Sequence, residues 1–247
     1  MRILLRAAML PQGIRATAMD NSAEITWLPN TEPDLEGYTI WISDRYDGTY
    51  RVIATTENLK YVDYGAKNGV RTFYGITAYD YEGNESDLSR DVTYATPRPE
   101  GYGVKLSDYR MSASSAGYDF SSYSVGKFDD DYTDVFFEST SGRYYLDVWT
   151  DTEIQDMGYT SSLDDIVVAP EAGWSPSRSV EAIPGHTYVI WTWDNHFAKV
   201  RVKETTPQRV TFDWAYQTAP ANPELKQHLA SSGGERMVPR SFPNRSR

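Results

Sequence analysis

Residues 185–202 read GHTYVIWTWDNHFAKVRV and hold two of the chain's three histidines and two of its seven tryptophans. Asp194-Asn195, set between two alternating runs, is a two-residue hairpin signal. With those two residues as the turn, Trp193 faces His196, Trp191 faces Ala198 and Val189 faces Val200. Val189, Trp191, Trp193, His196, Ala198, Val200 and Val202 then share the face expected to look into the core. Thr192, Phe197, Lys199 and Arg201 share the other face with Tyr188 and Ile190. His196 sits at the turn and His186 at the opposite end. At roughly 3.3 Å per residue the strand between them separates the two by ~20 Å, too far to ligate one ion within one chain.

Downstream, Val210, Phe212, Trp214 and Tyr216 alternate with Thr211, Asp213, Ala215 and Gln217, the pattern of a half-buried strand. Further strands are expected at 104–112, 116–120, 134–139, 144–149, 163–168 and 178–183, which makes residues 104–217 a second β domain. The Pro/Gly-punctuated stretch 98–103 reads as an extended, semi-rigid linker. Residues 218–247 are polar, with scattered Pro and Gly, and read as a disordered tail. The start, MRILLRAAML (1–10), carries a basic end and a short apolar run, and reads as a truncated leader or an unstructured start.

Upstream of the linker, strands are expected near 13–19, 23–28, 37–44, 49–55, 60–64, 71–80 and 88–95, a count and spacing that suggest a β-sandwich. Ile25 and Trp27 alternate with Glu24 and Thr26, which turns Trp27 inward. Asp47-Gly48, Asn68-Gly69 and Glu82-Gly83-Asn84 supply the turn chemistry. PQGIRATA, AEITWLPN, PDLEGYTIWIS and FYGITAYDYEGNESDLS resemble a bacterial fibronectin type III domain over residues 11–97. By register with that family the tyrosine-corner position falls on Thr72, so closure of the loop passes to Phe73 or Tyr64. Modules of this family usually act as spacers or binding platforms.

The second domain is similar, over about 115–217, to the HmuY-like family of bacterial surface lipoproteins. The similarity lies in YDFSSYSVGK, DVFFES, GHTYVIWTWDNHFAKVRV and VTFDWAYQ. It implies a β-rich fold and, as an alternative function, binding of haem or another small molecule, for which His186, His196 and Met157 are the candidate contacts.

The formal charge of -11 and the absence of cysteine narrow the functions. An acidic surface disfavours nucleic acid and anionic lipid as partners. No cysteine means no disulfide, thiolate metal site or cysteine nucleophile. No run approaches the ~18 apolar residues of a membrane helix. No phosphate loop, dinucleotide fingerprint, zinc-protease helix or nucleophile elbow is present. Asp129, Asp130, Asp131 and Asp134 are the densest acidic run and the candidate calcium ligands. The aromatic content, 14% of residues, offers Trp41, Trp149 and Trp174 as a binding surface, because aromatic faces stack on sugars and peptide side chains. The expectation is an all-β, non-catalytic protein of the cell envelope or extracellular space. Its partner would be a protein or glycan at the cell surface, or it would be a structural subunit of a surface assembly.

Overall fold

The computed structural model describes residues 8–91 and 93–228. These divide into two compact units, one built on the described chain up to Pro97 together with Gln227 and His228, the other on Arg98–Lys226.

The first unit is a fibronectin type III-like sandwich. Its strands are β1 (Arg15–Met19), β2 (Ser22–Thr26), β3 (Leu35–Ser43), β4 (Arg51–Thr56), β5 (Lys60–Asp63), β6 (Thr72–Asp80) and β7 (Thr93–Ala95). One sheet runs β1-β2-β5 and the other β4-β3-β6-β7, with every pair antiparallel. Alternation places Ile14, Ala16, Ile25, Tyr38, Ile40, Tyr74, Ile76 and Ala78 in the shared core. Trp27 points inward as its strand pattern requires, edge-on to Tyr38 at 5.3 Å between ring centroids. The loop before β6 is closed by Tyr74, whose hydroxyl donates to Asp63 Oδ2 at 3.0 Å. Tyr64 is 82% exposed, and Phe73 packs on Tyr46 and Tyr94. The closing tyrosine is therefore two positions beyond Thr72.

The second unit holds β8 (Glu100–Ser107), β9 (Gly117–Asp119), β10 (Ser124–Gly126), β11 (Val135–Thr140), β12 (Arg143–Asp147), β13 (Glu153–Tyr159), β14 (Ser179–Glu181), β15 (His186–Trp191), β16 (Phe197–Thr205) and β17 (Arg209–Gln217). They form two five-stranded antiparallel sheets, β10-β9-β11-β12-β14 and β13-β15-β16-β17-β8. Between them lies a core that includes Tyr118, Phe120, Phe137, Leu146, Tyr188, Ile190, Val200, Phe212 and Trp214. The stretch 98–103 is not a free connector. Glu100–Gly103 belong to β8, Trp214 packs over Gly101, and the Arg98 side chain is fully buried.

The hairpin of residues 185–202 forms in a different register from the two-residue turn. Trp191 pairs Phe197, Ile190 pairs Ala198 and Tyr188 pairs Val200. Thr192 accepts His196 N on its hydroxyl and donates its own N–H to His196 O, so the loop is longer, and Asn195 takes the left-handed conformation at φ 67°. The one-residue shift exchanges the faces of β15. Tyr188 and Ile190 join Ala198, Val200 and Val202 in the core, while Trp191 and Trp193 stand 39% and 47% exposed.

Both faces of this sheet are covered. On its outer side Val189 and Phe197 pack with Ala169, Leu225, Met157, Ile166 and Trp174. Residues 163–168 are accordingly not a strand but a short 3-10 turn, Leu163–Asp165, leading into this cover. The carbonyls of the cover are met by side chains from the sheet, as buried backbone groups require. Lys199 Nζ donates to Ile166 O at 2.8 Å, Gln217 Nε2 to Glu224 O at 2.9 Å, and Arg98 Nε to Leu225 O. Leu225 is fully buried here, so residues 218–226 are structured rather than a tail. The chain then adds β18 (Gln227–His228) to β1 of the first unit. Of the start expected as a leader over 1–10, residues 1–7 lie outside the described residues and Ala8 packs into the core of the first unit; the tail beyond 228 also lies outside the described residues.

Candidate functional site

The outer face of the other sheet, β10-β9-β11-β12-β14, carries aromatic and polar side chains, with loop aromatics packed on part of it. In β11, Val135 and Phe137 point into the core with no exposure, so the intervening Phe136 and Glu138 point outward. Phe136 lies opposite Asp147 of β12, and Glu138 opposite Tyr145. Trp149 continues the outward parity of Tyr145 and Asp147 just past the strand end. Two loop residues complete the patch. Tyr109 N donates to Phe137 O, and Phe128 N to Ala113 O.

The rings form a column. The Arg110 guanidinium lies 4.4 Å from the centroid of the Tyr109 ring. Tyr109 stacks on Phe128 at 4.7 Å, and Phe128 on Trp149 at 6.3 Å with 28° between planes. Phe136 buttresses all three at 5.1–5.9 Å. Trp149 Nε1 donates to Phe128 O at 3.0 Å, which fixes the indole orientation. Trp149 keeps 37% of its surface exposed at the end of the column opposite Arg110.

Polar groups border the rings. Arg110 Nη2 pairs with Glu138 Oε1 at 2.7 Å. Burial raises the Asp147 carboxyl to about 6. Glu138 adds to the rise, while the Ser179 hydroxyl and Arg110 oppose it. Among the described residues, Asp147 Oδ2 is buried without a hydrogen-bond partner.

The remaining candidates fall elsewhere. Trp41, expected on the surface, is 6% exposed, and its Nε1 donates to Thr77 Oγ1 at 2.9 Å on the outer side of β3. Trp174 is half-buried against Trp191 at 6.1 Å and belongs to the cover. Met157 packs into the same apolar cluster. His186 Nδ1 sits 3.0 Å from both Asp156 oxygens at one end of β15. His196 Nδ1 lies 3.2 Å from Asp194 Oδ2, with its ring against Tyr216, beyond the other end. The structure does not bring Met157 and the two histidines into one cavity.

The acidic run likewise does not converge. Asp129 pairs with Lys127 at 2.9 Å, Asp130 caps Tyr132 N, and Asp131 is exposed. Asp134 turns inward, is 1% exposed, and accepts Phe120 N at 2.9 Å. Burial pushes its carboxyl up to about 8. The Phe120 N–H opposes this, and the charges of Asp119, Asp194 and Asp151 add to it. Among the described residues no group of three or more His, Asp or Glu is placed to hold a metal ion. Among them, too, no helix is long and apolar enough to cross a membrane.

Of the residues in the column, the sequence singled out Trp149. Phe136 left a readable signal: three apolar residues in a row, Val135-Phe136-Phe137, cannot all face one core, so the middle one had to be outward. Tyr109 and Phe128 are loop residues placed by backbone hydrogen bonds between distant segments, and carry no local signal.

No family model matches the chain. A stretch of 84 residues is 33% identical to the exo beta-1,2-glucooligosaccharide sophorohydrolase of Parabacteroides distasonis. It covers 33% of this chain and 11% of the enzyme, so the chain corresponds to a small part of that relative. A solved Fn3-like protein from Clostridium thermocellum is 26% identical, with TM-score 0.32, over 39% of this chain and all of its own. A solved DUF4466 family protein of Parabacteroides merdae is 7% identical, with TM-score 0.41, over 81% of this chain and 93% of its own.

Proposed function

We propose that the chain is a non-catalytic binding or scaffold protein of the cell envelope or extracellular space, and that it binds through the outer face of the β10-β9-β11-β12-β14 sheet. One observation carries this reading: an ordered column of loop and strand aromatics stands on the outer face of this sheet and leaves Trp149 37% exposed at one end. The indole is held by its hydrogen bond to Phe128 O and still presents a third of its surface to solvent, where an aromatic ring can stack on a ligand. The partial match to a glycan-acting enzyme, confined to a ninth of its length, fits an accessory module. The finer assignment of the second unit to a HmuY-like surface domain is supported by the ordered segments DVFFES, GHTYVIWTWDNHFAKVRV and VTFDWAYQ. The haem alternative ranks behind the aromatic face, because His186, His196 and Met157 are engaged at separate places.

The test pairs two measurements. In a screen across glycoside, ester and peptide substrates, the chain should show no turnover. Turnover abolished by Glu138→Gln or Asp147→Asn would contradict the non-catalytic reading. Co-sedimentation with bacterial cell-envelope material should be lost in Trp149→Ala and kept in Trp174→Ala.

A further inference from the structure

We propose that Arg98, Lys199 and Lys226 form a binding site for one small monovalent anion, with chloride the simplest occupant, on the covered side of the β13-β15-β16-β17-β8 sheet. Three cations converge there on a single atom. Asp164 Oδ1, on the 3-10 turn Leu163–Asp165 of the cover, lies 3.2 Å from Lys226 Nζ, 3.8 Å from Arg98 Nη2 and 4.0 Å from Lys199 Nζ. The Arg98 and Lys199 side chains are fully buried, and that of Lys226 is 10% exposed.

The donors of this cluster outnumber its acceptors. Glu100 accepts Arg98 Nη1 at 3.0 Å on one oxygen and the Tyr102 hydroxyl at 2.7 Å on the other. Leu225 O takes Arg98 Nε, and Ile166 O takes one N–H of Lys199 at 2.8 Å. Asp164 is then the carboxylate left for the remaining N–H groups. At 3.8 and 4.0 Å it lies beyond the ~2.7–3.2 Å of a direct hydrogen bond to Arg98 or Lys199. Among the described residues, Arg98 Nη2 is buried without a hydrogen-bond acceptor. A buried donor in that position is costly, and a charged one more so. A spherical anion accepts from several donors at once and imposes no geometry on them.

Charge sets the valence. With all three cations charged, the cluster carries +3 against -2 from Asp164 and Glu100, a net +1 that one monoanion cancels and a dianion overshoots. Solvent reaches the cluster beside Asp164, whose side chain is 52% exposed, so this carboxylate competes with an entering anion for the same cations. Burial, joined by Arg98 and Lys226 and opposed by Asp164 and Glu100, pulls the Lys199 ammonium down. A bound anion adds to the opposing charges. Lys199 therefore takes up a proton as the anion enters, and affinity falls as pH rises.

Thermal melts of the intact chain in sodium chloride and in sodium gluconate, at equal ionic strength, test this. Gluconate screens surface charge equally and is too bulky to reach side chains this buried. Between ~0.01 M and ~0.5 M salt, the melting temperature at pH 6 should rise about 2–5 °C more in chloride than in gluconate, and by less at pH 9. Lys199→Met should abolish the difference, and Lys226→Met should weaken it. Asp164→Asn, at an exposed position, removes the competing carboxylate and should lower the chloride concentration needed by a few-fold or more. Circular dichroism spectra that match the parent chain would show that the variants are folded. Equal melting curves in the two salts, or a chloride effect that survives Lys199→Met, overturns the proposal. So does a chloride response that Asp164→Asn leaves unchanged or weakens, since Asp164 would then be only an internal ion-pair partner.

Discussion

The two sheets of the second unit meet across one core and differ on their outer faces. The β13-β15-β16-β17-β8 sheet turns Val189, Phe197, Lys199 and Gln217 outward and buries all four under the segments around 163–175 and 219–226. The β10-β9-β11-β12-β14 sheet turns Phe136, Glu138, Tyr145 and Asp147 outward; Phe136 is buried beneath the rings of Tyr109, Phe128 and Trp149, while Glu138 and Tyr145 stay half-buried. The first face uses its polar side chains to satisfy carbonyls of the cover. The second holds them at the border of an aromatic column. The same residue types serve stability in one place and are available for binding in the other, and the extent of the cover makes the difference.

The largest effects should come from breaking the covered face. Arg98→Ala removes the guanidinium that meets Leu225 O and Glu100, and leaves those groups buried without it. A loss of about 3 kcal/mol or more is expected by urea denaturation. A loss below ~1 kcal/mol would mean that the cover is not held this way.

Next is the pH response of Lys199. Burial, with Arg98 and Lys226 nearby, lowers its ammonium to about 6. Between that value and the ordinary 10.5 the unfolded chain holds a proton that the folded chain does not, so stability should rise with pH through this window. Lys199→Met should remove that part of the slope in melts from pH 6 to 9.

Asp134 works in the opposite sense. Its folded-state value of about 8 exceeds the ordinary 3.8, so its contribution is fully present below pH 4 and is lost as pH rises through about 8. Asp134→Asn should raise the melting temperature at pH 8 and have little effect at pH 4. An equal shift at both would show that the carboxyl is already ionised.

The smallest stability effect is expected on the open face. Trp149→Ala should cost about 2 kcal/mol, since a third of the ring is already in water, against ~3 kcal/mol or more for Phe197→Ala under the cover. Equal costs would remove the contrast between the faces.

Much of the fold was legible because alternation is a local signal. Val210, Phe212, Trp214 and Tyr216 lie in the core as their spacing requires, and the strands of the first unit fall close to their expected places. The failures share a cause. In β15 both faces are buried, so HTYVIW has no apolar–polar alternation to fix its register, and a tight turn looked as good as the longer loop that forms. β13 (EIQDMGY) was invisible for a similar reason: its side chains are mostly partly buried and it carries an irregularity between Asp156 and Tyr159. Arg98, between two prolines, looked like linker chemistry, because only tertiary structure brings Leu225 O and Glu100 to it. Within the site, Trp149 was legible as a surplus aromatic, while Trp41 was indistinguishable from it until its burial was known.

The most direct test of the central claim is hydroxyl-radical footprinting of the intact chain with and without the ligand that sediments it. Trp149 and Tyr145 should label readily in the free chain and lose labelling when bound, while Trp174 and Met157 stay unchanged. Unchanged labelling at Trp149 with protection at Trp174 would place binding on the covered face and contradict the account.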